Sequence, residues 1–332
     1  MLPLFAAGVL TATFQIQKQF NLTSDPTAEW DIGEYTDAHL THSCANYVND
    51  GSTVSTRDGK LVLSVSSACE DGGCLNSARI MSKDSFKYGL YVFKAQVPKC
   101  NYVWPAIWLL PEDKDGTGAY GGWPCSGEID VLETVDDHNF GTFNLVAGYG
   151  SDGGCSSHEF TCNRCRPGFC VSSSLQNSSS GAYFVEDVDC SSGTKSWHEH
   201  TWVMHWQPDK LTTWLDPSLE KDDQGQIISV TPKNADTATS GFPSWKTYDR
   251  ETTASWSAVG EFMDQCYPEL SEASAPFDAG FKLVLNIAIG GYEGAGCKWG
   301  ENCSTNCAGA VGSELIMSEI SVWQSSSDVI LP

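Results

Sequence analysis

The chain has 332 residues, 41% of them apolar, and carries 42 acidic against 19 basic side chains, a formal net charge of −23. That length supports a large buried core, and all-β units of this size form single domains. The acidity speaks against nucleic acid and against an anionic membrane surface as partners, because both need clustered Lys and Arg. It likewise disfavours a sulfated or uronic polysaccharide.

Fourteen cysteines, an even number, sit mostly among Gly, Ser, Asn and Asp. So many thiols point to disulfides made in the secretory pathway, and hence to a secreted, extracellular protein. The pairing is not deducible from spacing. Cys162, Cys165 and Cys170 form a C-x2-C-x4-C cluster; a structural zinc site wants a second half-site, none is found, and disulfides are the favoured reading.

In chain order, Leu2 to Ala12 form an apolar stretch about the length of a signal-peptide core and too short to span a bilayer. Residues 1–13 are therefore expected to be a leader, and 14–332 a single domain. Sequons at Asn21, Asn177 and Asn302 suggest a glycosylated surface, with Cys303 making the last a poor acceptor. Strands are expected at 60–65, 78–82, 87–97, 103–110, 128–135, 141–146, 200–206, 211–215, 281–289 and 314–323. In the third of these Tyr91, Phe93, Ala95 and Val97 share a face by period-two alternation, as do Trp202, Met204 and Trp206 in the seventh. Short strands separated by Gly, Pro, Asn, Asp and Ser indicate an all-β sandwich or barrel. Two stretches, 151–193 and 234–276, have too few apolar residues for cores of their own and read as long loop insertions, the first rich in cysteine.

The segment Glu128-Ile-Asp130-Val-Leu-Glu133 puts three acids within six residues of an apolar strand. In a regular strand Glu128 and Asp130 share a face and Glu133 points to the other. One extra residue, held as a β-bulge between Asp130 and Glu133, would return Glu133 to the shared face. Two carboxyls brought to within about 5–6 Å across a concave sheet suit a retaining glycosidase, one attacking the sugar and the other protonating the leaving oxygen. A third acid beside them raises the pKa of a neighbour by like-charge repulsion. On spacing alone, a solvent-facing acidic edge and a calcium site stay open beside catalysis.

This segment resembles the active-site signature of glycoside hydrolase family 16 in its bulged E-x-D-x-x-E form, that of endo-β-1,3-glucanases (laminarinases). Further blocks match in the family's order: Arg79-Ile-Met-Ser, Tyr88-Gly, Val103-Trp104-Pro-Ala-Ile-Trp108, Trp123-Pro, His200 to Trp206, Leu285-Asn286 to Gly291, and Ile320 to Trp323. They run from about residue 60 to 324. The resemblance implies a jelly-roll, concanavalin-like β-sandwich with a concave substrate cleft, Glu128 as nucleophile, Glu133 as general acid/base and Asp130 as the group that tunes them.

The cleft also needs aromatic platforms for the apolar faces of sugar rings. Among twelve tryptophans, Trp104 and Trp123 are the subsite candidates, with Trp299 a weaker one. Arg79 is placed to bond a sugar hydroxyl or to pair with the carboxylates. The sequence departs from the family where laminarinases often carry T-x-H after the catalytic strand: Gly141-Thr-Phe-Asn144 has Asn144 in place of His, a side chain that hydrogen-bonds but carries no proton.

The expectation is retaining, endo-acting hydrolysis of β-1,3- or mixed β-1,3/1,4-glucan by a monomer that needs no cofactor, with room for a structural calcium on the convex face. Two alternatives stay open. One is a transglycosylase using the same mechanism. The other is a non-catalytic glucan-binding lectin on the same sandwich, a class that typically lacks the acids present here.

Overall fold

The computed structural model describes residues 9–37, 42–70, 72–99, 102–111, 118, 123, 126–135, 140–146, 181–184, 196–233, 251–255, 276–290, 297 and 302–325. Two large sheets dominate it. A seven-stranded sheet runs β13 (Gly181–Phe184), β12 (Phe140–Val146), β11 (Glu128–Glu133), β10 (Val103–Pro111), β19 (Phe281–Ile289), β8 (Arg79–Phe86) and β2 (Trp30–Ile32), antiparallel throughout. A ten-stranded sheet runs β16 (Ser218–Lys221), β17 (Ile227–Thr231), β1 (Leu10–Gln19), β20 (Glu314–Gln324), β9 (Gly89–Pro98), β14 (Ser196–Trp206), β15 (Lys210–Leu215) and β18 (Glu251–Ser255). The hairpin of β5 (Val54–Arg57) and β6 (Lys60–Ser64) joins it along β20. A small third sheet, β3 (Tyr35–Thr36), β4 (Ala45–Tyr47) and β7 (Leu75–Ser77), includes the parallel pair β4–β7.

Alternation explains the layering. Tyr91, Phe93, Ala95 and Val97 of β9 and Trp202, Met204 and Trp206 of β14 meet Ile107, Leu109, Ile129, Leu283, Leu285 and Ile287 of the seven-stranded sheet in one buried cluster between the sheets. The opposite face of β9 and β14 is not left to solvent. Leu90, Val92 and Val203 pack with Phe14, Ile227, Val230 and Trp323, because the sheet path continues through β1 into β17, which folds back over its outer side. That double burial is why β9 reads as an almost unbroken apolar run. The result is a jelly-roll β-sandwich, the architecture expected from the sequence.

The expected strand at 281–289 matches β19, and those at 103–110 and 211–215 agree within a residue with β10 and β15. Those at 60–65, 141–146 and 314–323 likewise agree within a residue with β6, β12 and β20, while four others end differently: β8 runs on to Phe86, β9 starts only at Gly89, β11 stops at Glu133, and β14 starts at Ser196. β1 was missed although Leu10, Ala12, Phe14 and Ile16 alternate with Thr and Gln, because the expected leader takes in its first four residues, 10–13. Leu10 to Ala12, the end of the apolar N-terminal stretch, belong to this strand. β13 and β18 fall inside the two segments read as loops, each as an edge strand with one pairing partner. Cys162, Cys165, Cys170, Asn177 and Trp299 lie outside the described residues.

Three disulfides are described: Cys44–Cys303, Cys69–Cys74 and Cys297–Cys307. Two of them lash the segment after β19 to itself and to the start of β4. The chain leaves β19 through Gly290 at φ 59°, where a Cβ would lie 2.1 Å from the carbonyl oxygen of Cys297, so only glycine fits there.

Candidate active site

β11 carries the three acids, and its register is irregular at the expected place. Against β10, Asp130 pairs with Trp108 and Leu132 with Ile107, which leaves Val131 as an extra residue. Against β12, Asp130 pairs with Asn144 and Glu133 with Thr142, so Val131 and Leu132 together oppose Phe143. Both extra-register residues are buried in the core between the sheets. Two consecutive apolar residues turned inward are what a bulge accomplishes, and it brings Glu133 back to the face of Glu128 and Asp130. That face is turned away from the ten-stranded sheet. Chain direction into β11 is set by Gly127 at φ 87°, whose missing side chain leaves room for Phe277 and Pro276.

Glu128 and Glu133 are half-buried, whereas Asp130 is 1% exposed. Each glutamate is held by one indole. Trp123 Nε1–H donates to Glu128 Oε2 at 2.7 Å, and Trp104 Nε1–H donates to Glu133 Oε1 at 3.1 Å. Burial, then repulsion from Glu133, pushes Glu128 up to about 7, against the opposing pull of the Trp123 and Asp130 hydrogen bonds and of Arg79. Burial and the two glutamate charges hold Asp130 well above the usual carboxylate range, so Asp130 keeps its proton and donates it to Glu128. Asp130 Oδ1 has no hydrogen-bond partner among the described residues. Burial and crowding of like charge thus hold the Glu128 and Asp130 carboxyls above the usual carboxylate range, Glu133 being a source of the repulsion.

The remaining expected residues fall around this set. Asn144 lies beside Asp130 in register on β12. Arg79 is across β19, paired in register with Asn286; its guanidinium lies over Trp108 at 4.6 Å and over Tyr35 at 5.8 Å from the ring centroids. Trp104 and Trp123, expected as sugar platforms, use their N–H groups on the carboxylates, and Trp123 also packs on Met81, Leu110, Val284 and Val146.

Three contributors were not singled out. Trp108 shares a face with Trp104 by even spacing and donates from Nε1 to Asn286 Oδ1 at 2.6 Å. Asn286 in turn bonds Tyr47 Oη at 3.5 Å, and Tyr47 bonds Asp37 at 3.2 Å. Tyr35, 39% exposed, presents its ring beside Arg79. The signal for Asn286 was present, a lone amide in the apolar run Leu283 to Ile289. Among the described residues, no group of three or more His, Cys, Asp or Glu side chains is placed to hold a metal ion.

Comparison with known proteins places this arrangement. The family model described as "XgeA-like, catalytic GH16 domain" matches residues 20–259. A glucan endo-1,3-beta-glucosidase of Cryptopygus antarcticus is 27% identical over 73% of this chain and 67% of that protein. A beta-1,3-glucan-binding protein of Penaeus monodon is 29% identical over 65% of the chain, which spans about half of its length, 46%. The laminarinase structure from Rhodothermus marinus superimposes with a TM-score of 0.59 at 18% identity, covering 94% of this chain and 98% of that one. A model match of that extent, on a sandwich shared with laminarinases and with the bulged E-x-D-x-x-E strand in place, means that the chain belongs to glycoside hydrolase family 16.

Proposed function

We propose that the protein is a secreted, retaining, endo-acting hydrolase of β-1,3- or mixed β-1,3/1,4-glucan. The observation that carries this reading is the bulge in β11, which gathers Glu128, Asp130 and Glu133 on one face with each glutamate tied to its own indole. The Cryptopygus antarcticus relative named for β-1,3-glucan cleavage supports the substrate class, and the cysteine content with three described disulfides supports secretion.

In the first step the ionised Glu128 carboxylate attacks the anomeric carbon. The bond to the glycosidic oxygen breaks, and Glu133 gives its proton to that oxygen. A glycosyl ester on Glu128 results. In the second, Glu133, now a carboxylate, takes a proton from water; the hydroxide equivalent attacks the same carbon and Glu128 leaves. The reaction starts with one glutamate charged and the other protonated, and the repulsion between Glu133 and Glu128 works against charging both at once. Asp130, donating to Glu128, steadies its charge as it comes and goes.

A second reading, binding without cleavage, has relatives named for β-1,3-glucan binding in Penaeus monodon and Tenebrio molitor. Three carboxyls crowded on one strand face, one of them fully buried, cost stability that binding alone does not require, and this favours catalysis. Transglycosylation shares every step but the acceptor. Digestion of laminarin, lichenan, agarose and xyloglucan side by side, with products sized, tests the proposal. Shorter chains from laminarin or lichenan are expected. Products longer than the starting oligosaccharide would establish transglycosylation instead, and no cleavage with retained binding would establish the lectin reading.

A further inference from the structure

A second feature of the fold lies on the side away from the carboxylates. A groove of about 420 Å³ opens where β1, β20 and the β16–β17 turn meet, on the outer face of the ten-stranded sheet. That volume is in the range of small-ligand pockets, about 300–1,000 Å³. Its floor is Trp323, covered in part by Lys221, whose ammonium is 5.1 Å from the ring centroid. Its wall is Ile16, 49% exposed, one of the few large apolar side chains so open among the described residues.

Four glutamines complete the lining, Gln15, Gln19, Gln224 and Gln226. A bulge builds this surface too. Ile16 pairs with Trp323 and Gln19 with Ser321, Gln17 being the extra residue, and the slip puts Gln19 on the face of Ile16. On the other side the 222–226 turn is fixed by Asp222. Its Oδ1 accepts from the backbone N–H of Gln224 at 2.9 Å and of Gln226 at 2.8 Å, so this carboxylate is used inside the turn and does not line the groove. Among the described residues the side-chain amides of Gln15, Gln224 and Gln226 make no hydrogen bond within the protein, and Gln19 uses only its Nε2, on Ile320 O.

The chemistry of the lining selects the ligand. No carboxylate lines the groove, although the chain carries 42 acids, and its one ammonium is too little for a polyanion. Free amides offer donors and acceptors together, and beside them stands an apolar wall. Neutral polyhydroxy rings have that pattern, hydroxyls at the rim and C–H on the faces. We propose that this groove is a second, non-catalytic binding site for a neutral glucan chain, which holds polymer at the enzyme while the cleft cuts it. The proposal rests on the glucanase reading above. Its consequence is a gain in effective concentration for polymers that a short oligosaccharide does not share.

The test uses the full chain with Gln15→Ala/Gln224→Ala/Gln226→Ala, and separately Ile16→Asp, all at solvent-accessible positions so that folding is preserved. Binding is read by native electrophoresis through gels containing laminarin, in a Glu128→Gln background so that the polymer survives. Turnover is read in the otherwise native chain on laminarin and on a short β-1,3-oligosaccharide. Both groove variants are expected to weaken laminarin binding and to raise KM on laminarin by at least about threefold, with kcat/KM on the oligosaccharide unchanged. Unchanged laminarin binding and KM in both variants, in an enzyme that cleaves laminarin, overturns the second site and leaves the glucanase reading intact. A native chain that neither cleaves nor binds any β-glucan overturns both.

Discussion

Replacing Glu128 by Gln should stabilise the protein at alkaline pH while abolishing its activity. Burial and the charge on Glu133 raise the Glu128 carboxyl from 4.5 to about 7. Between these values the folded state holds a proton that the unfolded chain has released, so stability falls as pH rises through this window and stays low above it. At about 1.4 kcal/mol per pKa unit the rise corresponds to about 3 kcal/mol. Gln keeps the shape and still accepts from Trp123 Nε1, but it never bears the charge. The assay is urea unfolding of oxidised native and Glu128→Gln protein from about pH 4 to about pH 9. The two curves should coincide at the acid end and separate to as much as about 3 kcal/mol in favour of the variant above about pH 8. A gap that is constant across pH, or a variant that is less stable at high pH, would refute the claim that folding confines an unfavourable charge at Glu128.

Because the nucleophile must be ionised, kcat/KM on laminarin should fall as pH drops through about 7, a limb well above the ordinary glutamate range; a profile flat down to about pH 5 contradicts it. Trp123→Phe removes the N–H donor to Glu128, a charge-assisted bond worth about 1.5–3 kcal/mol, and should move that limb upward by about one to two pH units. An unmoved limb would assign Trp123 to packing only. Cys44→Ser opens a bridge that closes 259 residues of sequence and should cost about 2–5 kcal/mol in urea unfolding under oxidising conditions, with an unchanged midpoint the contrary result.

The core strands were legible because burial on both sides makes them long and apolar, as in β9, β10 and β19. Several others were not. β1 does alternate, Leu10, Ala12, Phe14 and Ile16 against Thr and Gln, but only Phe14 is fully buried and the apolar run from Leu2 into Ala12 has the look of a leader core. β13 and β18 have a partner on one side only and are embedded in polar segments. At the site, the bulge was readable from a contradiction: three acids need one face, and period two places them on two. What could not be read is which way a side chain uses its ends. Trp104 and Trp123 were recognised as cleft aromatics, yet their N–H groups go to Glu133 and Glu128, contacts made only when the chain is folded. Asn286 was likewise visible as a polar residue in an apolar strand, but its bond to Trp108 depends on the pairing of β10 with β19.

The division of labour between the two glutamates is the centre of the account, and azide rescue tests it directly. In Glu128→Gly the space beneath the anomeric carbon is vacated while Glu133 still protonates the leaving group, so azide added to an activated β-glucoside should restore turnover and yield the α-glycosyl azide. In Glu133→Gly the ester on Glu128 still forms and azide should give the β-azide. The opposite pairing of anomers with variants, or no azide product from either, would contradict the assignment of Glu128 as nucleophile and Glu133 as acid/base.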